Sequence, residues 1–352
     1  MAGPRKALLF ERLFNHVFAK GNDSEHRNAN DGGPHGSTAA PLDYSHPDTL
    51  TAIANSLDTA FYGMMLGAHS PLECELNPLE QRVVSQITSL MSASGTHADL
   101  VPRLPSIMPK IMRALRDEES STAELTSYIG RDVVLVSEVI RLANSPYYRV
   151  ARKIDSLERA ICILGRNGIR QLVANAAFKP LIDMKTGHFT QLAGDIVWTL
   201  AERSAQLCDC VAKKQNADRF HAYLTGLVHN VGFTVALKIM DRVYDGSDAL
   251  RSNTFRMLLI DQATILSLMI AQEWGFPQPV VKALESQIGI FDLNNAPPLA
   301  RILYISDIMA KLNILSQRKE FARTTERLQR QLAPLITTAH TRCYAKLALE
   351  TS

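Results

Sequence analysis

Phe220-His221-Ala222-Tyr223-Leu224-Thr225-Gly226-Leu227-Val228-His229-Asn230-Val231-Gly232 is the stretch around which the rest of the chain is organised. Its apolar residues recur at the three- and four-residue spacing of a helix. Gly232 is the residue type that ends helices in the left-handed conformation, so the pattern places the helix end there. His229 and Asn230 then fall on the last turn, a polar pair beside an apolar run that faces a cleft.

Outward from this stretch nearly everything reads as short helices. Toward the N-terminus, Leu50, Ile53, Leu57, Phe61 and Met64 are spaced by threes and fours. Asn77-Pro78-Leu79-Glu80 combines an N-cap, a first-turn proline and a capping-box glutamate, and Val83, Val84, Ile87, Leu90 and Met91 continue that helix. Pro102-Arg103-Leu104-Pro105 is a stiff elbow and a candidate domain boundary. Beyond it come helices on Ile107, Ile111, Met112 and Leu115, on the capping box Ser121-Thr122-Ala123-Glu124, and on Val136, Val139, Ile140 and Ala143. Another opens at Ser156, with Gly165 and Gly168 marking a break before Ile169. No stretch sustains two-residue alternation with turn dipeptides, so the expected fold class is all-α. There is no internal repeat and no glycine-rich phosphate loop.

Residues 4–20 carry Leu9, Phe10, Leu13, Phe14, Val17 and Phe18 on one side, an amphipathic helix expected to pack on the main body. A partner or membrane-surface contact is the alternative, although the polar side lacks a long basic run. Residues 21–45 shift to Gly, Asn, Asp, Ser, His and Pro, too polar to offset the entropy of ordering, and read as a linker. Their neighbouring histidines, His26, His35 and His46, are too irregular for a metal site.

The 352 residues suffice for one large core or two modest domains. With 46% hydrophobic and 21% charged residues the balance is globular, and a net charge of +3 does not by itself imply nucleic acid. The five cysteines, Cys74, Cys162, Cys208, Cys210 and Cys343, are scattered and odd in number, which suits free thiols in a reducing cytosol. Cys208-Asp209-Cys210 lacks a second pair at metal-binding spacing and reads as structural. No apolar run reaches ~18 residues, so no membrane span is expected. Glu11 and Arg12 interrupt what would be a signal-peptide core. The expected location is cytoplasmic.

Several separated motifs, in order, resemble the landmarks of the HDOD family, HD-related output domains of bacterial signalling proteins. They are Leu104-Pro105-Ser106; Arg141-Leu142-Ala143-Asn144-Ser145-Pro146-Tyr147-Tyr148; Ser156-Leu157-Glu158-Arg159-Ala160-Ile161 with Leu164-Gly165; and Trp274-Gly275-Phe276-Pro277. The resemblance covers residues 101–312 and implies a multi-helical bundle in front of an HD-like helical core. The division expected is 1–20 amphipathic helix, 21–45 linker, 46–100 helical region, 101–312 HDOD-like domain and 313–352 C-terminal helices. Each landmark also has a plain role: proline at 146 disfavours helix at Ser145, and Tyr147 and Tyr148 pack where helices meet.

The HD superfamily pattern implies four metal-ligand positions: an early His, a His-Asp doublet and a distant Asp. The early position, two residues after Trp198, is Leu200, which has no donor atom. The doublet here is His229-Asn230, and a neutral amide is a far weaker ligand for a hard cation than a carboxylate. The late Asp matches Asp307 in Leu303-Tyr304-Ile305-Ser306-Asp307-Ile308-Met309-Ala310. Two of the four survive, and the expectation is a pseudo-enzyme with no bound metal and no cofactor. His229 is then a core histidine bonded to Asp307, His221 a surface or groove residue, and Ser204 lacks a base and orienter. The alternative is a metal-dependent phosphohydrolase or phosphodiesterase with an altered site.

Lys319, Arg323, Arg327 and Arg330 recur at four, four and three, one stripe of a helix whose other side carries Phe321, Leu328, Leu332 and, past Pro334, Leu335. A solvated face accounts for the stripe; docking of an acidic partner protein is the sharper reading, and nucleic-acid phosphate the weakest. The function expected is a non-catalytic signalling module that binds another protein.

Overall fold

The computed structural model describes residues 47–68, 72–92, 127, 129–130, 133–148, 152–182, 185–246 and 248–351. The amphipathic stretch at 4–20, the linker at 21–45, the elbow at 102–105, the Leu104-Pro105-Ser106 landmark and the helix signals at 107–124 lie outside the described residues. Within them the chain is helical and contains no strand; one isolated bridge pairs Leu72 with Ser252. The helices are α1 (Pro47–Leu66), α2 (Pro78–Ser92), α3 (Val133–Ala143), α4 (Leu157–Ile182), α5 (His188–Gln215), α6 (Arg219–Val228) and α7 (Val231–Val243). They continue with α8 (Asn253–Glu273), α9 (Gln278–Glu285), α10 (Pro298–Ser316), α11 (Ala322–Leu332) and α12 (Thr338–Thr351).

Local chemistry sets the helix ends. Asn77 Oδ1 accepts from the Glu80 amide, and Glu80 Oε2 accepts from the Asn77 amide, both at 2.9 Å, which is the capping box read from sequence. The other oxygen, Oε1, accepts from the amides of Arg251 and Ser252 at 2.8 Å. One buried carboxylate therefore starts α2 and fixes the entry to α8. The first turn of α5 is capped from another helix: Asp241 on α7 accepts from the amides of Phe189 and Thr190. Gly165, at φ 66°, breaks the helical geometry inside α4 where the sequence places a break. Gly275, at φ 65°, ends α8 after Trp274, whose ring stacks on Phe178 with centroids 5.4 Å apart.

Two landmarks acquire a physical cause. The Asn144 amide donates to the Ile154 carbonyl at 2.7 Å and accepts from the Ile154 amide at 2.8 Å, clamping the chain that leaves α3. Tyr147 packs edge-on against Tyr148 and donates its hydroxyl to Asp209 on α5 at 3.1 Å.

The core centres on α5, which packs against α6, α7, α10 and α12. Glycines permit the closest approaches. A Cβ at Gly226 would lie 2.6 Å from backbone atoms of Ser204 and Ala205, so α6 and α5 touch backbone to backbone. Gly232 does not end a helix. α6 stops at Val228, and Gly232 sits in the first turn of α7, where a Cβ would lie 2.0 Å from the Ala263 carbonyl oxygen of α8. The sequence signal of a glycine after a helical run was real, but its cause is helix contact rather than a left-handed cap.

The cysteines also differ from expectation. Cys210 and Cys343 form a disulfide, and among the described residues Cys74, Cys162 and Cys208 are free. The two half-cystines are 133 residues apart, so no local spacing announces them. By length and composition α8 alone among the described helices could cross a membrane, although half of its most apolar window is buried inside the fold.

Candidate functional site

The junction of α6 and α7 carries His229 and Asn230 into the interior rather than onto an open wall: the His229 side chain is only 8% exposed and Asn230 is buried. The Gly226 carbonyl accepts from Nδ1 at 2.7 Å, and Asp307 Oδ1 on α10 accepts from Nε2 at 2.8 Å. The Asn230 side-chain nitrogen, Nδ2, lies 2.5 Å from the same Nε2. Asp307 and His229, 78 positions apart, thus meet as expected from the superfamily pattern.

The sequence reading missed the cation beside them. Lys311, one turn after Asp307 on α10, places Nζ 2.6 Å from Asp307 Oδ2 and 2.7 Å from Asp58 Oδ1 on α1. Its ammonium also lies 4.9 Å from the centre of the Tyr62 ring, which stacks on Phe233 of α7. Burial alone would raise the Asp307 carboxyl, yet Lys311 and His229 hold it well below the usual carboxylate range. Burial likewise opposes the charge on Lys311, and Asp307 and Asp58 more than reverse that, holding the ammonium well above its ordinary value. At Asp58 burial dominates and the carboxyl is raised, with Lys311 offsetting part of the rise. The i, i+4 spacing of Asp307 and Lys311 was visible as a helical ion pair. Nothing local could have added Asp58, 253 residues away.

Each of the four ancestral positions can now be judged for a divalent ion. Leu200 is buried on α5, one turn before the Ser204 backbone that Gly226 touches, and offers carbon only. Asn230 offers a neutral amide. Both oxygens of Asp307 are engaged, one by the Lys311 ammonium and one by the His229 ring, and the His229 nitrogens are both engaged. Among the described residues no group of three or more His, Cys, Asp or Glu is placed to hold a metal. These residues do not fit a divalent cation: two of the four positions bring no charge, and the Lys311 ammonium already lies against the one carboxylate that remains.

Elsewhere, His221 is half-buried and lies 3.5 Å from Asp218, the N-cap of α6. Arg323, Arg327 and Arg330 are exposed along α11, with Lys319 on the preceding 3₁₀ turn, while Thr325, Leu328 and Leu332 form the buried side. Arg330 approaches Glu326 at 3.9 Å, both well exposed, an ion pair of little energetic weight.

Comparison with known proteins matches the same architecture. A solved HDOD domain protein of unknown function from Geobacter sulfurreducens superposes with a TM-score of 0.53 at 19% identity, covering 78% of this chain and 95% of that one. A candidate metal-dependent phosphohydrolase from Shewanella amazonensis gives 0.54 at 16% identity, covering 78% of this chain and 100% of that one. These likenesses establish an all-helical HDOD fold. Among curated sequences, an uncharacterized protein of Treponema pallidum is 24% identical over 216 residues, 59% of this chain and 41% of that one. Protein YuxH of Bacillus subtilis, also uncharacterized, is 29% identical over 115 residues, 33% of this chain and 27% of its own. The chain therefore spans less than half the length of these curated relatives. The sequence model of the HDOD domain matches residues 101–288, more than half of the chain, and the chain belongs to the HDOD family.

Proposed function

We propose that this chain is a non-catalytic HDOD module that acts in a bacterial signalling pathway by binding another protein, in the cytoplasm. The observation that carries the proposal is Lys311, whose ammonium occupies one oxygen of Asp307 while His229 occupies the other. Activation of water by a metal needs a positioned ion with an open coordination site. Here the late carboxylate is engaged by the Lys311 ammonium and the His229 ring, the early position is Leu200 and the doublet carboxylate is replaced by Asn230. The helical core is retained as a shape.

The test is elemental analysis of the purified protein together with hydrolysis assays on nucleotides and cyclic dinucleotides in Mn²⁺ or Mg²⁺. The expected result is no stoichiometric metal and no turnover above the rate of a His229→Ala variant. Stoichiometric metal, or activity that His229→Ala abolishes, would replace this reading with that of a phosphohydrolase whose site is altered.

The exposed stripe of Lys319, Arg323, Arg327 and Arg330 is the surface we assign to an acidic partner protein. Exposed charges act chiefly on encounter, so Arg323→Glu with Arg327→Glu should slow association roughly tenfold and leave folding intact. Association kinetics with a partner isolated from the native cytoplasm check this. An unchanged association rate would return the stripe to an ordinary solvated face.

A further inference from the structure

The disulfide is the covalent tie between two helices that also pack against each other. Cys210 lies on α5 and Cys343 on the last helix, α12, with Cα atoms 5.8 Å apart. α12 lies against α5 and α10. Its non-covalent ties include the Gln329 side chain on α11, which donates to the Tyr344 hydroxyl at 2.9 Å, the Lys346 ammonium 4.8 Å from the centre of the Tyr147 ring, and the buried Leu347. What α12 reaches is a hub. Tyr147 belongs to the landmark at 141–148, and its hydroxyl donates to Asp209, the residue next to Cys210. Asp209 also accepts from Gln171 at 2.8 Å and from both Nε and Nη2 of Arg219 at 2.9 Å. The C-terminal helix therefore covers the end of α5 where the α3–α4 region joins the core.

We propose that Cys210 and Cys343 form a thiol–disulfide exchange site whose oxidation state sets how firmly α12 covers the Tyr147–Asp209 end of α5. In a compartment buffered by glutathione, protein disulfides are transient or redox-sensing far more often than they are permanent staples. The proposal rests on the cytoplasmic setting proposed above. Access to the two sulfurs is unequal: Cys343 is buried, whereas Cys210 is partly exposed. A dithiol reductant, as thiolate, attacks Cys210 Sγ; the bond between the two sulfurs breaks, and Cys343 leaves as thiolate and takes up a proton. The second thiol of the reductant then attacks the mixed disulfide, releasing Cys210 as a thiol and leaving the reductant as a disulfide, two electrons having moved to the protein. Oxidation by a disulfide of the glutathione class runs the same steps in reverse. Cys208 does not interfere. It lies two residues before Cys210, so it faces nearly the opposite side of α5, and burial pushes its thiol up to about 12. With the bond open, α12 loses its covalent tie to α5, is held by non-covalent contacts alone, and opens more readily.

The experiment uses the full-length chain carrying Cys74→Ser and Cys162→Ser, so that alkylation in denaturant counts only Cys208 and the pair. After equilibration with oxidised glutathione one thiol is expected, and after a dithiol reductant three. Hydrogen exchange across Thr338–Thr351 should be at least tenfold faster in the reduced form, with Val231–Val243 unchanged. A Cys343→Ala variant should show the fast exchange under both conditions. Three thiols after oxidation would mean that the pair does not close, and one after reduction that it is a permanent cross-link. Equal exchange in both forms would mean that the bond does not govern α12. Each of these outcomes overturns the proposal, and none touches the non-catalytic reading, which rests on Lys311.

Discussion

Replacing Lys311 with methionine is expected to cost about 3–5 kcal/mol of stability, the usual penalty for removing one partner of a buried ion pair. Methionine matches the length of the lysine stem, so packing against Tyr62 is largely kept and the loss isolates the charge. Asp307 retains His229 as a partner, but its Oδ2 and the Oδ1 of Asp58 lose the ammonium that both share. The Lys311 side chain is 6% exposed, which leaves little water to replace it. In a chain of this size the change corresponds to a fall in melting temperature of about 4–7 °C. Adding Asp58→Asn should recover part of the loss, because one stranded carboxylate is then removed along with its need for a cation. Thermal and urea denaturation of wild type and both variants decides it. A loss below about 1 kcal/mol for Lys311→Met would mean that water reaches the cluster and that its ion pairs resemble surface ones.

The second large effect is expected at Gly232. In Gly232→Ala the new Cβ would lie 2.0 Å from the Ala263 carbonyl oxygen and 2.7 Å from the Ser267 nitrogen, both backbone atoms of α8. No rotamer change relieves such a contact, so α7 and α8 must move apart. That separation also stretches the bond from the Gly232 amide to Ser267 Oγ, now 2.9 Å. Overpacking of this kind costs about 3 kcal/mol or more. Ser267→Ala, which removes the hydroxyl and adds no volume, should cost only about 1 kcal/mol. Comparable denaturation midpoints for the two variants would show that the helices yield easily and that the close approach is incidental.

These two residues also mark the boundary of what the sequence makes legible. Helices α1, α2 and α3 and the capping box at Asn77 and Glu80 were readable because their causes lie within four residues. The meeting of His229 with Asp307 was readable only through an ancestral motif that carries long-range information. Gly232 was misread because a glycine after a helical run looks the same whether it caps a helix or lets another helix approach. Lys311 was passed over in the sequence, since its importance depends on Asp58, 253 positions away. The second oxygen of Glu80 and the Cys210–Cys343 bond escaped for the same reason. Contacts across such separations depend on how helices stack, and periodicity reports only which face of a helix is apolar.

The Asp58–Lys311 bridge has a consequence for synthesis on the ribosome. α1 precedes α10, a helix it packs against, and Lys311 follows 253 residues behind the carboxylate it must meet. At about 5–20 residues per second that gap is roughly ten seconds to a minute. Through that interval Tyr62, buried in the finished fold with the Lys311 ammonium over its ring, lacks that neighbour, and Asp58 stays in water without its partner. The first described helix to leave the ribosome is therefore among the last to be enclosed, and a chaperone that meets the nascent chain finds this apolar face open.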